Sequence, residues 1–164
     1  MKHLFILAFF LIAAPAFSQK SIATVLKKLN KETVPYIKVD AIDPKVNYTF
    51  LDARAIKEYE VSHLEKSVFV DFDTFDRTNL SALLPDKNSV IVVYCSVGVR
   101  SEIIGEKLLK LGYKKVYNLY GGIFEWKNKG RKVVNMQGIA TDSVHTYNSE
   151  WSQYLQKGTK VYED

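Results

Sequence analysis

A run of β-branched and aromatic residues in the middle of the chain constrains the fold more than any other feature. Residues 89–101 read S-V-I-V-V-Y-C-S-V-G-V-R-S, and Val90 to Tyr94 form an unbroken apolar run. Such a run is typical of a strand that is buried on both faces of a sheet. The chain has a single cysteine, Cys95, which directly follows this strand, and helical spacing begins at Ser101.

The segment between this strand and the next helix has the features of a nucleophile loop. A tight turn from Cys95 to Arg100, followed by a helix N-terminus, would point several backbone N–H groups at the cysteine sulfur. These donors, the positive end of the helix dipole and the Arg100 guanidinium all favour the thiolate. A lone cysteine is normally a small buried hydrophobic residue, but its position at this junction predicts a reactive role.

The rest of the chain predicts strands that alternate with helices. Strands are expected over residues 36–39, 47–53, 68–72, 90–94 and 115–119, and helices over 21–30, 55–61, 74–84, 101–111 and 123–129. This alternation implies a mostly parallel sheet with helices on both faces. Ligands of such sheets gather at the carboxyl ends of the strands, where Cys95 and Asp52 both fall. Arg54 and Glu58 are four residues apart and could pair.

The first residues predict a secretory signal peptide over residues 1–18. Lys2 supplies a positive charge, residues 4–14 are apolar, and Ala16-Phe17-Ser18 is a small-x-small cleavage site. The apolar run is short for a membrane span, and no cysteine follows it that could carry a lipid anchor. We therefore expect an exported protein, periplasmic or secreted, without a stable membrane anchor after cleavage.

Charge and composition argue against several classes of partner. The formal net charge is +5, but the lysines are scattered, which indicates a solvated surface with a mild preference for anions and no nucleic-acid partner. A single cysteine rules out an intramolecular disulfide. The histidines are isolated from one another and the single cysteine has another role, so no metal site is expected. No cofactor is expected either.

Three stretches of the chain resemble the rhodanese family of sulfurtransferases. The loop C-S-V-G-V-R-S over residues 95–101 is similar to the family's C-x-x-G-x-R-[S/T] loop. Residues 51–64 are similar to its D-x-R…E-[FY]…G-H-[IL] stretch, except that Ser62 stands where glycine is usual. Residues 118–126, N-L-Y-G-G-I-F-E-W, are similar to its L-x-G-G-x-x-x-W stretch. The three stretches occur in the family's order between about residues 36 and 130.

The resemblance implies a three-layer α/β fold with a mostly parallel five-stranded sheet, in a domain over residues 19–130. It also implies that Cys95 is the catalytic nucleophile and that Asp52 and Arg54 support the loop. The substrate-binding loop would consist of Ser96, Val97, Gly98, Val99, Arg100 and Ser101. Arg100 could shape the loop or bind an anionic donor directly, and we favour a shaping role combined with general electrostatics.

The activity implied is transfer of a sulfane sulfur through a persulfide on Cys95. The donor would be thiosulfate or a small persulfide, and the acceptor a thiol, cyanide or a thioredoxin-like protein. Ser96, Val97 and Val99 are uncharged, so the rim of the loop lacks the additional cations that would strongly favour thiosulfate.

Two other classes of function stay open. A non-catalytic or redox-sensing module of the same fold is one, because a fold does not determine a function. The other is a phosphatase or arsenate reductase, whose related loop is C-x5-R. Here Cys95 to Arg100 is C-x4-R, and Tyr94 stands where those enzymes have histidine. A shorter loop should form a narrower cradle, which suits sulfur better than a tetrahedral oxyanion.

Residues 131–164 lie beyond the resemblance and are expected to pack on the domain as an extension. A free tail would not carry so many large apolar side chains, which are Val144, Tyr147, Trp151, Tyr154 and Leu155. We hypothesise that this segment folds back over the sheet and narrows access to Cys95. A position of His145 near the loop is the less favoured alternative, because an isolated histidine is usually a surface or core residue.

Overall fold

A five-stranded parallel sheet forms the centre of the molecule, in a computed structural model that describes residues 21–163. Its spatial order is β1-β5-β4-β2-β3, and every neighbouring pair is parallel. The strands are β1 Tyr36–Ile37, β2 Tyr48–Asp52, β3 Val68–Phe69, β4 Val90–Tyr94 and β5 Lys115–Leu119. The predicted fold class is confirmed, and β4 and β5 have the predicted bounds. The predicted signal peptide lies outside the described residues.

Three predicted strands are shorter than expected. β2 is shorter by one residue at each end, and the other two end early for local reasons. β1 ends at Ile37 because the chain enters a 3₁₀ turn at Val39–Ala41. β3 ends at Phe69, and Asp71 then adopts a left-handed φ of 51° that cannot continue a strand.

Six helices lie around the sheet in the described part of the chain. They are α1 Ile22–Leu29, α2 Ile56–Val61, α3 Arg77–Leu83, α4 Val99–Lys110, α5 Gly122–Asn128 and the single turn α6 Ser149–Ser152. α3 begins later than predicted because the Asp76 side chain caps it by accepting from the Thr78 and Asn79 N–H groups. α4 begins at Val99 rather than Ser101, so Arg100 lies in its first turn. Over residues 21–163, no helix is long and apolar enough to cross a membrane.

The central strand β4 is buried on both faces, as its apolar run predicts. Ile91 and Val93 belong to a core cluster with residues of α3 and α4. Val92 and Tyr94 belong to a second cluster on the opposite face, together with Phe124 of α5. The sheet therefore has helices on both faces, and the end of β4 is held rigidly from two sides.

Residues after Gly130 add short strands that continue the second cluster. β6 Val133–Val134 and β7 Ala140–Thr141 form an antiparallel pair, while β8 Ser143–His145 and β9 Thr159–Val161 pair in parallel. Val134 exchanges two backbone hydrogen bonds of 2.9 Å with His63. Val144 and Leu155 are buried in the same cluster as Val92. This segment thus shares its core with the sheet.

Candidate active site at the end of the central strand

Cys95 lies at the carboxyl edge of the sheet, one residue beyond β4. The register of the sheet places the last residue of β4, Tyr94, beside Asp52 at the end of β2. The thiol is free and buried, with 1% of the residue exposed, and it lines a cavity of about 350 Å³. A buried sulfur that still borders a cavity can meet a small substrate while excluding most water.

The loop and α4 each provide a hydrogen-bond donor to the cysteine sulfur. The Gly98 N–H donates to Sγ at 3.2 Å, and the Ser101 hydroxyl donates to it at 3.5 Å. Burial alone would raise the pKa of the Cys95 thiol, but the charge of Arg100 and the hydrogen bonds from Ser101 and Gly98 outweigh it and lower that pKa. These contacts favour the thiolate, the form that acts as a nucleophile.

Two asparagines hold the loop in its conformation. Gly98 adopts a φ of 118°, which a side chain would disfavour. Its carbonyl accepts hydrogen bonds of 2.8 Å from both the Asn30 and Asn118 side chains. Asn118 also accepts a 2.7 Å bond from the Ser101 hydroxyl. Neither asparagine was predicted as a site residue, although an asparagine inside the predicted strand 115–119 is an unusual strand residue that indicates a specific partner.

The N-terminus of α5 fixes the other side of the loop. The Ile123 N–H donates to the Cys95 carbonyl at 2.9 Å, and the Phe124 N–H donates to the Ser96 carbonyl at 3.2 Å. This approach is so close that a Cβ at Gly122 would lie 2.2 Å from the Cys95 carbonyl oxygen. The second glycine of the Gly121-Gly122 pair is therefore required by the nucleophile loop, as well as by the turn itself.

Arg100 makes a two-pronged ion pair with Glu58, a buried residue of α2. Its two terminal nitrogens lie 2.7 and 2.8 Å from the two carboxylate oxygens, and Nη2 also donates to Ser96 Oγ at 3.0 Å. Burial would raise the pKa of Glu58, but the hydrogen bonds and charge of Arg100 lower it to about 2. The predicted pair between Arg54 and Glu58 was wrong, because Arg100 reaches this carboxylate from the facing helix.

Arg54 instead pairs with Asp52, and both side chains are fully buried. Arg54 Nη2 donates to Asp52 Oδ2 at 2.7 Å and to the Ser62 carbonyl at 2.6 Å, while Nε donates to Asp52 Oδ1 at 3.0 Å. Neither residue hydrogen-bonds the Cys95 sulfur. The pair joins the end of β2 to the end of α2. It therefore stabilises the position of α2, the helix that carries Glu58.

The cavity above Cys95 is bounded by the loop, by α1 and by residues beyond Gly130. Its apolar lining consists largely of Leu29, Phe72, Val97, Val99, Tyr147 and Trp151. His145 is buried but does not line the cavity. No group of three or more potential metal ligands occurs among residues 21–163.

Together, the fold and the site define a parallel α/β domain with a hydrogen-bonded cysteine at the carboxyl edge of its sheet. Comparison with known families identifies the domain, since the rhodanese-like domain family matches residues 37–129. The chain therefore belongs to the rhodanese-like domain family.

Curated relatives and solved structures share this domain. A tRNA uridine(34) hydroxylase of Yersinia pestis (strain Pestoides F) is 35% identical, over 59% of this chain and 29% of that protein. The corresponding protein of Yersinia enterocolitica is 34% identical with the same coverage. The chain thus spans less than a third of the length of these curated relatives.

Two solved structures show the same fold at lower identity. A thiosulfate sulfurtransferase from Pseudomonas aeruginosa is 23% identical, with a TM-score of 0.57, over 65% of this chain and 21% of that chain. A rhodanese-like domain from Anabaena sp. is 19% identical, with a TM-score of 0.56, over 62% of this chain and 80% of that one.

Proposed function

We propose that this protein is a sulfurtransferase that carries a sulfane sulfur as a persulfide on Cys95. The observation that carries this proposal is the Cys95 sulfur itself, which borders a cavity and accepts hydrogen bonds from Gly98 and Ser101. The same donors that favour the thiolate before transfer would stabilise the anionic outer sulfur after it.

The reaction would proceed in two balanced steps. The Cys95 thiolate attacks the outer sulfur of the donor, and the donor's remaining fragment leaves with the electron pair of the broken bond. The acceptor, a thiol, cyanide or a thioredoxin-like protein, then attacks the outer sulfur of the persulfide and releases the Cys95 thiolate. Neither step needs a metal or an external oxidant.

Arg100 supports sulfur transfer over phosphate or arsenate chemistry. A C-x5-R loop uses its arginine to hold a tetrahedral oxyanion, whereas Arg100 directs both terminal nitrogens to Glu58. Its role here would be to fix the loop and to lower the pKa of the Cys95 thiol. This arrangement favours a small sulfur atom as the species that the loop holds.

We do not extend the hydroxylase activity in the names of the curated relatives to this chain. Their hydroxylase activity belongs to proteins of which the chain covers 29%, so we propose only chemistry that resides in the shared domain. From the sequence of residues 1–18 we also propose that the protein acts after export, in the periplasm or outside the cell.

Intact-protein mass spectrometry tests the proposal directly. Incubation with a sulfane donor should add one sulfur atom to the wild type, cyanide should remove it, and Cys95→Ser should gain none. Sulfur transfer by Cys95→Ser would overturn the assignment. Hydrolysis of p-nitrophenyl phosphate without sulfur transfer would favour the phosphatase alternative, and oxidation of Cys95 without turnover would favour a sensor.

A further inference from the structure

The charges that line the cavity do not suit a doubly charged donor. Among the described residues, its charged lining side chains are Arg100 and Asp73. Arg100 is already paired with the buried carboxylate of Glu58, at 2.7 and 2.8 Å. Asp73 adds a negative charge at the rim. A dianion such as thiosulfate would lose hydration on entry without meeting an unpaired cation.

The walls of the cavity are suited to an apolar group. They include the aliphatic side chains of Leu29, Val97 and Val99, and the aromatic rings of Phe72, Tyr147 and Trp151. A volume of about 350 Å³ is sufficient for a ring-sized organic substituent in addition to the reacting sulfur atoms. Aromatic walls bind such groups by removing apolar surface from water and by ring contacts.

Hydrogen bonds in the segment after β8 hold its two aromatic residues at the cavity. Tyr147 adopts a φ of 67°, rare for a residue other than glycine, and its N–H donates to His145 Nδ1 at 3.0 Å. The Asn148 side chain caps α6 by accepting from the Trp151 N–H at 3.0 Å. Tyr147 nevertheless remains half exposed, so its ring is available to a ligand.

We propose that this cavity selects sulfane donors that carry an apolar organic group and a single negative charge, and that Tyr147 and Trp151 determine this preference. The inference rests on the proposed sulfur transfer and names its substrate class. An organic thiosulfonate, R–SO₂–S⁻, represents the class. The Cys95 thiolate attacks its outer sulfur, the S–S bond of the donor breaks, and R–SO₂⁻ leaves with the electron pair while the Cys95 persulfide anion forms.

Three donors and a set of variants test the proposal. Initial rates with benzenethiosulfonate, methanethiosulfonate and thiosulfate, each with cyanide as acceptor, give kcat/KM for every protein. The variants are Tyr147→Ala and Trp151→Ala, the ring-preserving Tyr147→Phe and Trp151→Phe, and the control Tyr162→Ala. Tyr162 is an exposed aromatic residue of the same segment that does not line the cavity. Thermal unfolding verifies that each variant is folded.

The diagnostic quantity is the ratio of kcat/KM for benzenethiosulfonate to that for methanethiosulfonate. After division by the ratio of the uncatalysed rates of the two donors, burial of a ring predicts a wild-type ratio of about tenfold or more, and each alanine variant should lower it by about threefold to tenfold. The phenylalanine variants and Tyr162→Ala should keep it. The intrinsic reactivities of the donors cancel when one donor pair is compared between proteins.

Asp73→Asn supplies a test that leaves the apolar walls intact. Asp73 is exposed, so the substitution should not disturb folding. It should raise kcat/KM for thiosulfate about twofold and change that for benzenethiosulfonate less, because the dianion is repelled more strongly.

Several results would overturn the proposal. These are a wild-type preference for thiosulfate, a donor ratio unchanged in folded alanine variants, or an equal response of all donors to Asp73→Asn. In each case Cys95 would still be sulfurated, so the proposed function would stand. Failure of every donor to sulfurate Cys95 would instead overturn both.

Discussion

Replacement of Glu58 by glutamine should destabilise the protein in a way that depends on pH. Glu58 is buried and binds both terminal nitrogens of Arg100 and the Ser96 hydroxyl. Burial opposes its charge, but Arg100 lowers its pKa from the ordinary value of 4.5 to about 2. Since one pKa unit corresponds to about 1.4 kcal/mol, the charged carboxylate contributes about 3 kcal/mol to the free energy of unfolding.

The sign of the pH dependence follows from the lowered pKa. Between pH 4.5 and 2 the unfolded chain binds more protons at this carboxyl than the folded protein does. The contribution of Glu58 is therefore complete above pH 4.5 and is lost as the pH falls through its folded value. At pH 3 about 2 kcal/mol of it should already be lost.

Urea unfolding followed by tryptophan fluorescence measures this effect. At pH 7 Glu58→Gln should be less stable than the wild type by about 3 kcal/mol, and at pH 3 by about 1 kcal/mol. Glu60→Gln is a matched control on the same helix, because Glu60 is exposed, and it should change stability by less than about 0.5 kcal/mol. A difference for Glu58→Gln that is equal at both pH values would refute the ion-pair reasoning.

Three further substitutions test the loop and the segment after Gly130. Arg100→Gln should raise the pKa of Cys95, seen as a higher midpoint in the pH dependence of iodoacetamide alkylation; an unchanged midpoint would leave Arg100 with a role in loop shape alone. Gly122→Ala should lower the free energy of unfolding in urea by more than about 3 kcal/mol, because its Cβ would meet the Cys95 carbonyl. The control Gly138→Ala, also at positive φ but with open space around it, should lower it by about 1 kcal/mol, and equal losses would contradict the clash. Leu155→Ala should cost about 2–5 kcal/mol, and a loss under about 0.5 kcal/mol would show that this segment is not packed.

The sequence predicted most accurately those strands and helices whose residue pattern depends on no distant part of the chain. The strands β4 and β5 were predicted with the observed bounds, because β4 is an unbroken apolar run and β5 is a short stretch rich in strand-forming residues that follows Gly112. The helix predicted over residues 21–30 is observed as α1, and the Ser21 hydroxyl caps it by accepting from the Thr24 N–H. The position of Cys95 followed from the end of β4 alone.

The sequence was least informative where a contact joins distant parts of the chain. Helical spacing suggested Arg54 as the partner of Glu58, but the partner is Arg100, which is 42 residues away and reaches across from α4. Asn30 and Asn118 meet at the Gly98 carbonyl from two different elements. The strands after Gly130 are two or three residues long, too short to show a period. Only tertiary structure reveals such pairings.

The residues that contact the Cys95 sulfur and two of the aromatic residues that line the cavity come from different parts of the chain. Cys95, Gly98 and Ser101 lie within residues 37–129, which match the family. Tyr147 and Trp151 lie beyond that range, yet they line the same cavity. The matched domain therefore supplies the contacts that lower the pKa of Cys95, whereas the shape and polarity of the cavity depend in part on residues outside the match. Relatives with the same loop and a different segment after the domain would be expected to use different donors.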